Sequence, residues 1–398
     1  MIDVTQIGVL LGIGMILVTL IDISMTVLHV QAESPLSNGV NRLIWRLLKI
    51  ITAPLPREVR DEVLAWGLPI MVGADLGLWI VLYVVGFGLV YLPMMSDPEF
   101  FRGVAQPVGS GLNDSVYFSA VTFFTLGYGD VVPSHPLPRL LAVLEAASGL
   151  LAIALTVAYL LAVYPFIARE MALATSLNQE TAGRADGVAA ARRYLSGERF
   201  EILAARLRWI NDELLILAQA HAFYPVLYYV RPKRVHESFV RTLAVTQGLV
   251  ATLRYTLDPS VHQDTVSDPR LLILEEGLLY TLHSLEHSRH LTLSAGAESR
   301  DQLLAQLADS RCDLSRLDLA VIGDDLPHLD AYVRFRESTD PYLVAYARTL
   351  AYDDREVWAV YDRWARDAGL SGAAQTQQPS QVADPADVDF SAADAVRE

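Results

Sequence analysis

The chain has almost no thiol to work with: one cysteine, Cys312, in 398 residues. A single thiol excludes an internal disulfide and a metal-thiolate cluster. Positive charge is also scarce. Lys and Arg number 31 against 46 Asp and Glu, a net charge of −15. That speaks against nucleic acid as a partner and against a polybasic lipid anchor. No apolar run carries Arg or Lys at every third position, so a voltage-sensing helix is not expected. The second half lacks strand-type alternation, and no G-x-G-x-x-G opens a helix. A nucleotide-binding fold and a cyclic-nucleotide barrel are therefore not expected. There is no H-E-x-x-H and no nucleophile elbow. An enzyme and an organic cofactor have no constellation behind them, and no internal repeat is visible.

Apolar residues are plentiful. They make up 52% of the chain, and the mean hydropathy is +0.30. They concentrate in the first 170 residues, the pattern of a membrane part joined to a more polar part. Residues 5 to 30 are long enough to cross a bilayer. A cleaved signal peptide ending at Val30-Gln31-Ala32 is the rival, but it would need a basic leader and would hold Asp22 inside its apolar run. Between 31 and 66 lie Arg42, Arg46, Lys49, Arg57 and Arg60, which puts this segment in the cytoplasm. Ile44, Leu47, Leu48 and Ile51 share a helical face there, with Arg42, Arg46 and Lys49 opposite. That is the pattern of an interfacial helix on the inner leaflet, and a plain surface helix has the same pattern. Pro54 and Pro56 end it. A second span is expected over 68 to 93 and an outer loop over 95 to 113. A short helix over 114 to 124 follows, capped by Asn113, Asp114 or Ser115. Residues 139 to 164 form a third span. The amino terminus is then outside the cell membrane and the carboxy-terminal half in the cytoplasm.

Between the short helix and the third span stands Thr125-Leu126-Gly127-Tyr128-Gly129-Asp130. A lone G-x-G means little. These six residues between a helix and a membrane span resemble the selectivity filter of potassium channels. A potassium ion gives up its hydration shell only to a ring of backbone carbonyls. Gly127 and Gly129 permit the left-handed backbone such a strand needs. The resemblance covers about residues 70 to 168 and is to the two-helix pore of bacterial potassium channels. It implies that Thr125, Leu126, Gly127 and Tyr128 present carbonyls to potassium ions, with the Thr125 hydroxyl at the inner site. It also implies that Asp130 accepts a hydrogen bond from the pore-helix aromatic, here Tyr117 where tryptophan is usual. Leu126 replaces the commoner valine, and Val121 stands where some members carry a glutamate. Pro133, Arg139 and Gly149 fall at the spacing of the turret proline, the inner-helix arginine and the gating-hinge glycine. Gly149 fits equally a close helix contact. On that register Ala146, Leu150, Ile153 and Val157 face the cavity, and Pro165 kinks or ends the inner helix. One chain supplies one filter strand, so a ring implies four identical subunits.

Three carboxylates sit where charge is costly. Asp22 and Asp75 fall toward the inner leaflet and are expected to pair with Arg57, Arg60 or Arg169. Glu145, one turn before Gly149, is expected to hydrogen-bond behind the filter with Ser119 or Thr122. There it would set filter stability or pH response, which Glu145→Gln should alter.

Beyond residue 170, helices are expected at 197–220, 234–257, 270–290, 300–313 and 341–367, with breaks at several prolines, Pro341 among them. His283, His287 and His290 share one helix face. They form either a divalent-metal or proton-sensing set or a plain polar face. The aromatic stretch 223–229 is a subunit, domain or membrane contact, or core. Residues 371 to 398 have a disordered composition.

The expectation is an all-α membrane protein, a tetrameric pore-loop channel with an extra amino-terminal span. Its parts are residues 1–66 (span and interfacial helix), 67–169 (pore), 170–370 (helical cytoplasmic domain, with room for a cytoplasmic ligand) and 371–398 (tail). Its expected function is passive potassium conduction across the lipid bilayer, not gated by voltage. The rivals are a weakly selective cation channel, through Leu126 or Tyr117, and a membrane-anchored sensor whose helical domain is the active part.

Overall fold

The computed structural model describes residues 4–27, 34–95, 97–103, 111–195, 200–289, 293, 299–323, 326–353 and 357–358. Among them, helices dominate and the only sheet is a two-stranded ribbon. The tail and everything past 358 lie outside the described residues. Contact density assigns Met1–Ala359 to one unit.

Among the described residues, three helices are long and apolar enough to cross a membrane. The first, α1, is Val4–Val27. Next come α2 (Pro35–Thr52) and α3 (Arg57–Ala65). Pro54 and Pro56 fall in the break between these two, where a ring without an N–H suits a terminus. The second span, α4, is Gly67–Met95. The segment after α4 contains β1 (Phe101–Arg102), and α5 (Gly111–Phe123) follows it. After β2 (Val132–Pro133) comes α6, Pro136–Glu180, with His135 accepting from the Leu137 N–H at its amino end.

The expected inner helix is corrected in length. It does not stop or break at Pro165 but continues to Glu180, 45 residues in all and about 68 Å long at 1.5 Å per residue. The proline forfeits one backbone bond. Its neighbours compensate by packing: Val163, Phe166 and Ile167 lie in an apolar cluster with Leu68 and Val72 of α4 and the buried Leu227. The stretch 223–229 is thereby assigned mainly to core, since Val226 through Tyr229 are buried in a single 3-10 turn, Pro225–Tyr229.

Further along are α7 (Val188–Leu195), α8 (Phe200–Phe223), α9 (Phe239–Tyr255), α10 (Gln263–Val266), α11 (Pro269–Arg289), α12 (Arg300–Ser315) and α13 (Leu326–Thr349). Helix α9 is buried nearly all round, as the centre of a bundle must be. The expected 341–367 helix is displaced: α13 begins at Leu326 and passes through Pro341. It does so because Arg336 and Asp340 pair across one turn and Gln247 of α9 donates to Asp340 at 2.6 Å, anchoring the turn before the proline, while Leu343 to Ala347 are buried beyond it.

The end of α13 docks on α2 and α3. Trp45 donates to the Thr349 carbonyl at 2.7 Å, and Arg231, whose guanidinium also reaches Asp61, donates to the Leu350 carbonyl at 2.8 Å. Leu43, Leu47, Ile50 and Ile51 of α2 remain exposed. At i, i+4, i+7 and i+8 they form an apolar stripe beside the membrane spans.

Candidate functional site

The site begins where α5 ends. The Leu126 N–H reaches back to the Val121 carbonyl (2.9 Å) and the Thr125 N–H to that of Thr122 (3.0 Å). This pair of bonds, with Thr125 at φ 54°, is the Schellman ending of a helix. It has a threonine where glycine is usual. The chain therefore leaves α5 in the left-handed region and returns there at Gly127 (φ 60°) and Gly129 (φ 81°), but not at Leu126 or Tyr128. Backbone of alternating hand turns successive peptide groups the same way. The negative end of the α5 dipole lies at the inner start of this strand.

Side chains brace the strand on one flank. The Tyr117 phenol donates to Asp130 Oδ2 at 2.7 Å, and the Val131 N–H donates to Oδ1 at 3.0 Å. The phenol bond holds the Asp130 carboxyl below the ordinary aspartate range and lifts the Tyr117 hydroxyl above its own. The exit of the strand is pinned by the ribbon, where Phe101 faces Pro133 and Arg102 faces Val132. Gly103 (φ 86°) presses against the Asp130 carbonyl so closely that a Cβ would stand 1.7 Å from it. Arg139 donates to the Pro133 carbonyl at 3.0 Å.

Behind the strand lies an aromatic cluster of α4 and α5. Tyr91, Phe101 and Phe118 meet edge to face at 5.1 to 5.9 Å. Glu145 is fully buried next to them. It accepts from the Tyr91 hydroxyl at 2.9 Å and from the Ser119 hydroxyl. Of its two expected partners, Ser119 is the one it meets, and Tyr91 is a partner that sequence did not signal. A tyrosine within an apolar span looks like any other core aromatic. Gly149 lies under Phe123, and a Cβ there would stand 2.8 Å from the ring. Close packing by itself accounts for a glycine at this position. Leu150 and Val157 are exposed, Ala146 is half-buried, and Ile153 packs on the aromatic cluster.

Several expectations are corrected. Asn113, Asp114 and Ser115 do not cap α5. They lie within its first turn, because the helix starts at Gly111. Asp114 there still complements the dipole. Asp22 and Asp75 make no ion pair with Arg57, Arg60 or Arg169. Arg57 pairs with Asp61, Arg169 with Glu213, and Arg60 donates to the Ala351 carbonyl. Arg57 is taken up within its own helix, and Arg60 and Arg169 are claimed by Ala351 and Glu213 of the carboxy-terminal half. Asp22 is served by neutral donors instead: Ser34, Ser37, the Leu36 N–H and the Trp79 indole. Asp75 receives the Asn41 amide at 2.9 Å. Of the histidine set, His283 is exposed and meets Tyr342 edge to face at 5.0 Å. The side chains of His287 and His290 lie outside the described residues. Among the described residues no three His, Cys, Asp or Glu gather as a metal set.

Residues 78–164 match the family model described as "Ion channel". The match takes in most of α4, all of α5, the strand and about the first two thirds of α6. The chain is also 26% identical over 253 residues to the uncharacterized membrane protein YdjJ of Bacillus subtilis, covering 63% of this chain and 71% of that one. No solved structure matches. An all-α membrane protein with an ion-channel-like segment at its centre is what the fold and these similarities establish.

Proposed function

We propose that the chain is one subunit of a homotetrameric, potassium-selective channel, with Thr125, Leu126, Gly127 and Tyr128 lending their carbonyls to dehydrated potassium ions. The observation that carries this reading is the alternation of backbone hand at Thr125, Gly127 and Gly129, immediately after the Schellman end of α5. A ring of such strands replaces a hydration shell. The Tyr117–Asp130 bond and the buried Glu145 hold the strand from the side and from behind. In one chain Tyr128 is 68% exposed and Leu126 53%. Large apolar groups so placed beside a rigid strand call for neighbours, and three further copies around an axis supply them. The amino terminus lies outside, the carboxy-terminal helices lie in the cytoplasm, and conduction is passive.

The test is ion uptake into liposomes carrying the purified full-length protein, with sodium as comparison and barium as blocker. Potassium uptake that exceeds sodium uptake and stops with barium is expected. Equal uptake of the two ions would make the pore a weakly selective cation channel. Uptake no greater than in protein-free liposomes would overturn the channel reading.

A further inference from the structure

Asp22 and Asp75 approach one another where α1, α2, α4 and α6 meet, and among the described residues neither has a cationic partner. Their situations differ. Both oxygens of Asp22 are occupied: Oδ1 by Ser34 and the Leu36 N–H, Oδ2 by Ser37 and Trp79. Asp75 is 8% exposed and uses Oδ2 for Asn41, but its Oδ1 is buried without a hydrogen-bond partner. Two more oxygens share that condition, Asn41 Oδ1 and Thr26 Oγ1. All three residues line one cavity of about 40 Å³, with Trp79, Thr156 and Tyr159 among its other walls.

Buried polar atoms are nearly always partnered, and a carboxylate withdrawn from water needs charge as well as hydrogen bonds. Here a carboxylate oxygen, an amide oxygen and a hydroxyl oxygen border the same small space. Hard oxygen donors select hard cations. The volume admits one ion with a water or two. Calcium would want six to eight oxygens and usually several carboxylates. With the Asp22 oxygens already committed, one carboxylate oxygen is on offer. The charge and the size both fit a monovalent ion.

The geometry points to a binding site for an alkali metal cation, sodium or potassium, held by Asp75, Asn41 and Thr26 between α1, α2 and α4 and apart from the filter strand. The ion neutralises Asp75 and ties α1, α2 and α4 together. Thr156 and Tyr159 bring α6 into the same wall, so occupancy bears on the packing of that helix. Only its consequence for gating rests on the channel reading; binding does not.

The experiment is thermal unfolding of the full-length protein in detergent. Sodium chloride or potassium chloride is titrated against N-methylglucammonium chloride at constant ionic strength. A saturable rise in the unfolding midpoint is expected with the alkali ion and not with the organic cation, and comparing the two salts tells which ion is preferred. Because a filter would also respond to cations, Asp75→Asn is made both in the wild type and in Tyr117→Phe. Asp75→Asn retains the size of the side chain and should weaken the response about tenfold or more in both backgrounds, so that the loss does not pass through the filter strand. Any other pattern overturns the site. Should Asp75→Asn fail to fold, Thr26→Val and the wild type are compared by the broadening of the sodium-23 resonance. Wild-type broadening that Thr26→Val reduces supports the site, and equal broadening by the two proteins overturns it.

Discussion

Thr125 is β-branched, yet it holds a φ of 54°, a region such residues seldom enter. The strain is tolerated because two backbone bonds at the end of α5 define its position, and strain of this kind gathers at functional sites. Tyr117 and Asp130 secure the other end of the strand. The phenol bond favours the ionised carboxylate, so the contribution of Asp130 is complete above the ordinary aspartate pKa of about 3.9. It is lost as pH falls through the lowered value. Tyr117→Phe removes the bond and lets the carboxyl titrate at higher pH. The acid limit of potassium uptake should therefore move upward in Tyr117→Phe, and selectivity over sodium should fall at neutral pH. Uptake measured in liposomes between pH 3 and 7 checks both.

At the scale of elements, crossings decide what each helix tolerates. Alanine in place of Gly149 would gain about 1 kcal/mol of helix propensity. Its Cβ would also stand 2.8 Å from the Phe123 ring and 3.2 Å from the Phe123 carbonyl, and overpacking of this sort costs about 1–3 kcal/mol. The second effect is the larger, so Gly149→Ala should lower the thermal midpoint of the protein. Arg241 in α9 is fully buried. It donates to the Asn178 side chain at 3.2 Å and to the Gly183 carbonyl at 2.6 Å, and it also reaches the Val357 carbonyl. These bonds tie the far end of α6 to the middle of the helical half. Arg241→Ala strands three buried acceptors, which at about 1–3 kcal/mol each predicts a loss of at least about 3 kcal/mol. Chemical denaturation followed by tryptophan fluorescence measures it.

For the whole molecule, the exposed surface is the informative part. Leu140, Val143, Leu144, Leu151 and Leu161 on α6 are open in the single chain, Leu161 at 72%. The filter strand is open on the same molecule. Lipid can cover leucine, but it cannot satisfy a row of backbone carbonyls, and the proposed tetramer would shield the strand from it. Native mass spectrometry from detergent should therefore find a species of four times 43.9 kDa. The helical half is not detachable at residue 170. Leu68, Val72, Tyr159 and Val163 are covered by residues 224 to 230. A chain ending at 170 should expose this face and run as an aggregate in size-exclusion chromatography.

The amino-acid sequence by itself determined the helical class, the three long apolar helices and the position of the six-residue strand. The family resemblance implied that Tyr117 and Asp130 would meet, and Ser119 was one of the two partners expected for Glu145, with Thr122 the other. These are matters of local periodicity, glycine placement and a motif held within a short stretch of chain. Only the tertiary structure decided the rest. It brought Tyr91 to Glu145 across 54 residues, gave Arg57, Arg60 and Arg169 to partners other than Asp22 and Asp75, and carried α6 through Pro165. It also left Asp75 Oδ1 facing a small oxygen-lined cavity. Each of these depends on which helix faces cross, and at what depth. Crossings are set by packing summed over many residues far apart in sequence, which no single stretch of the chain records.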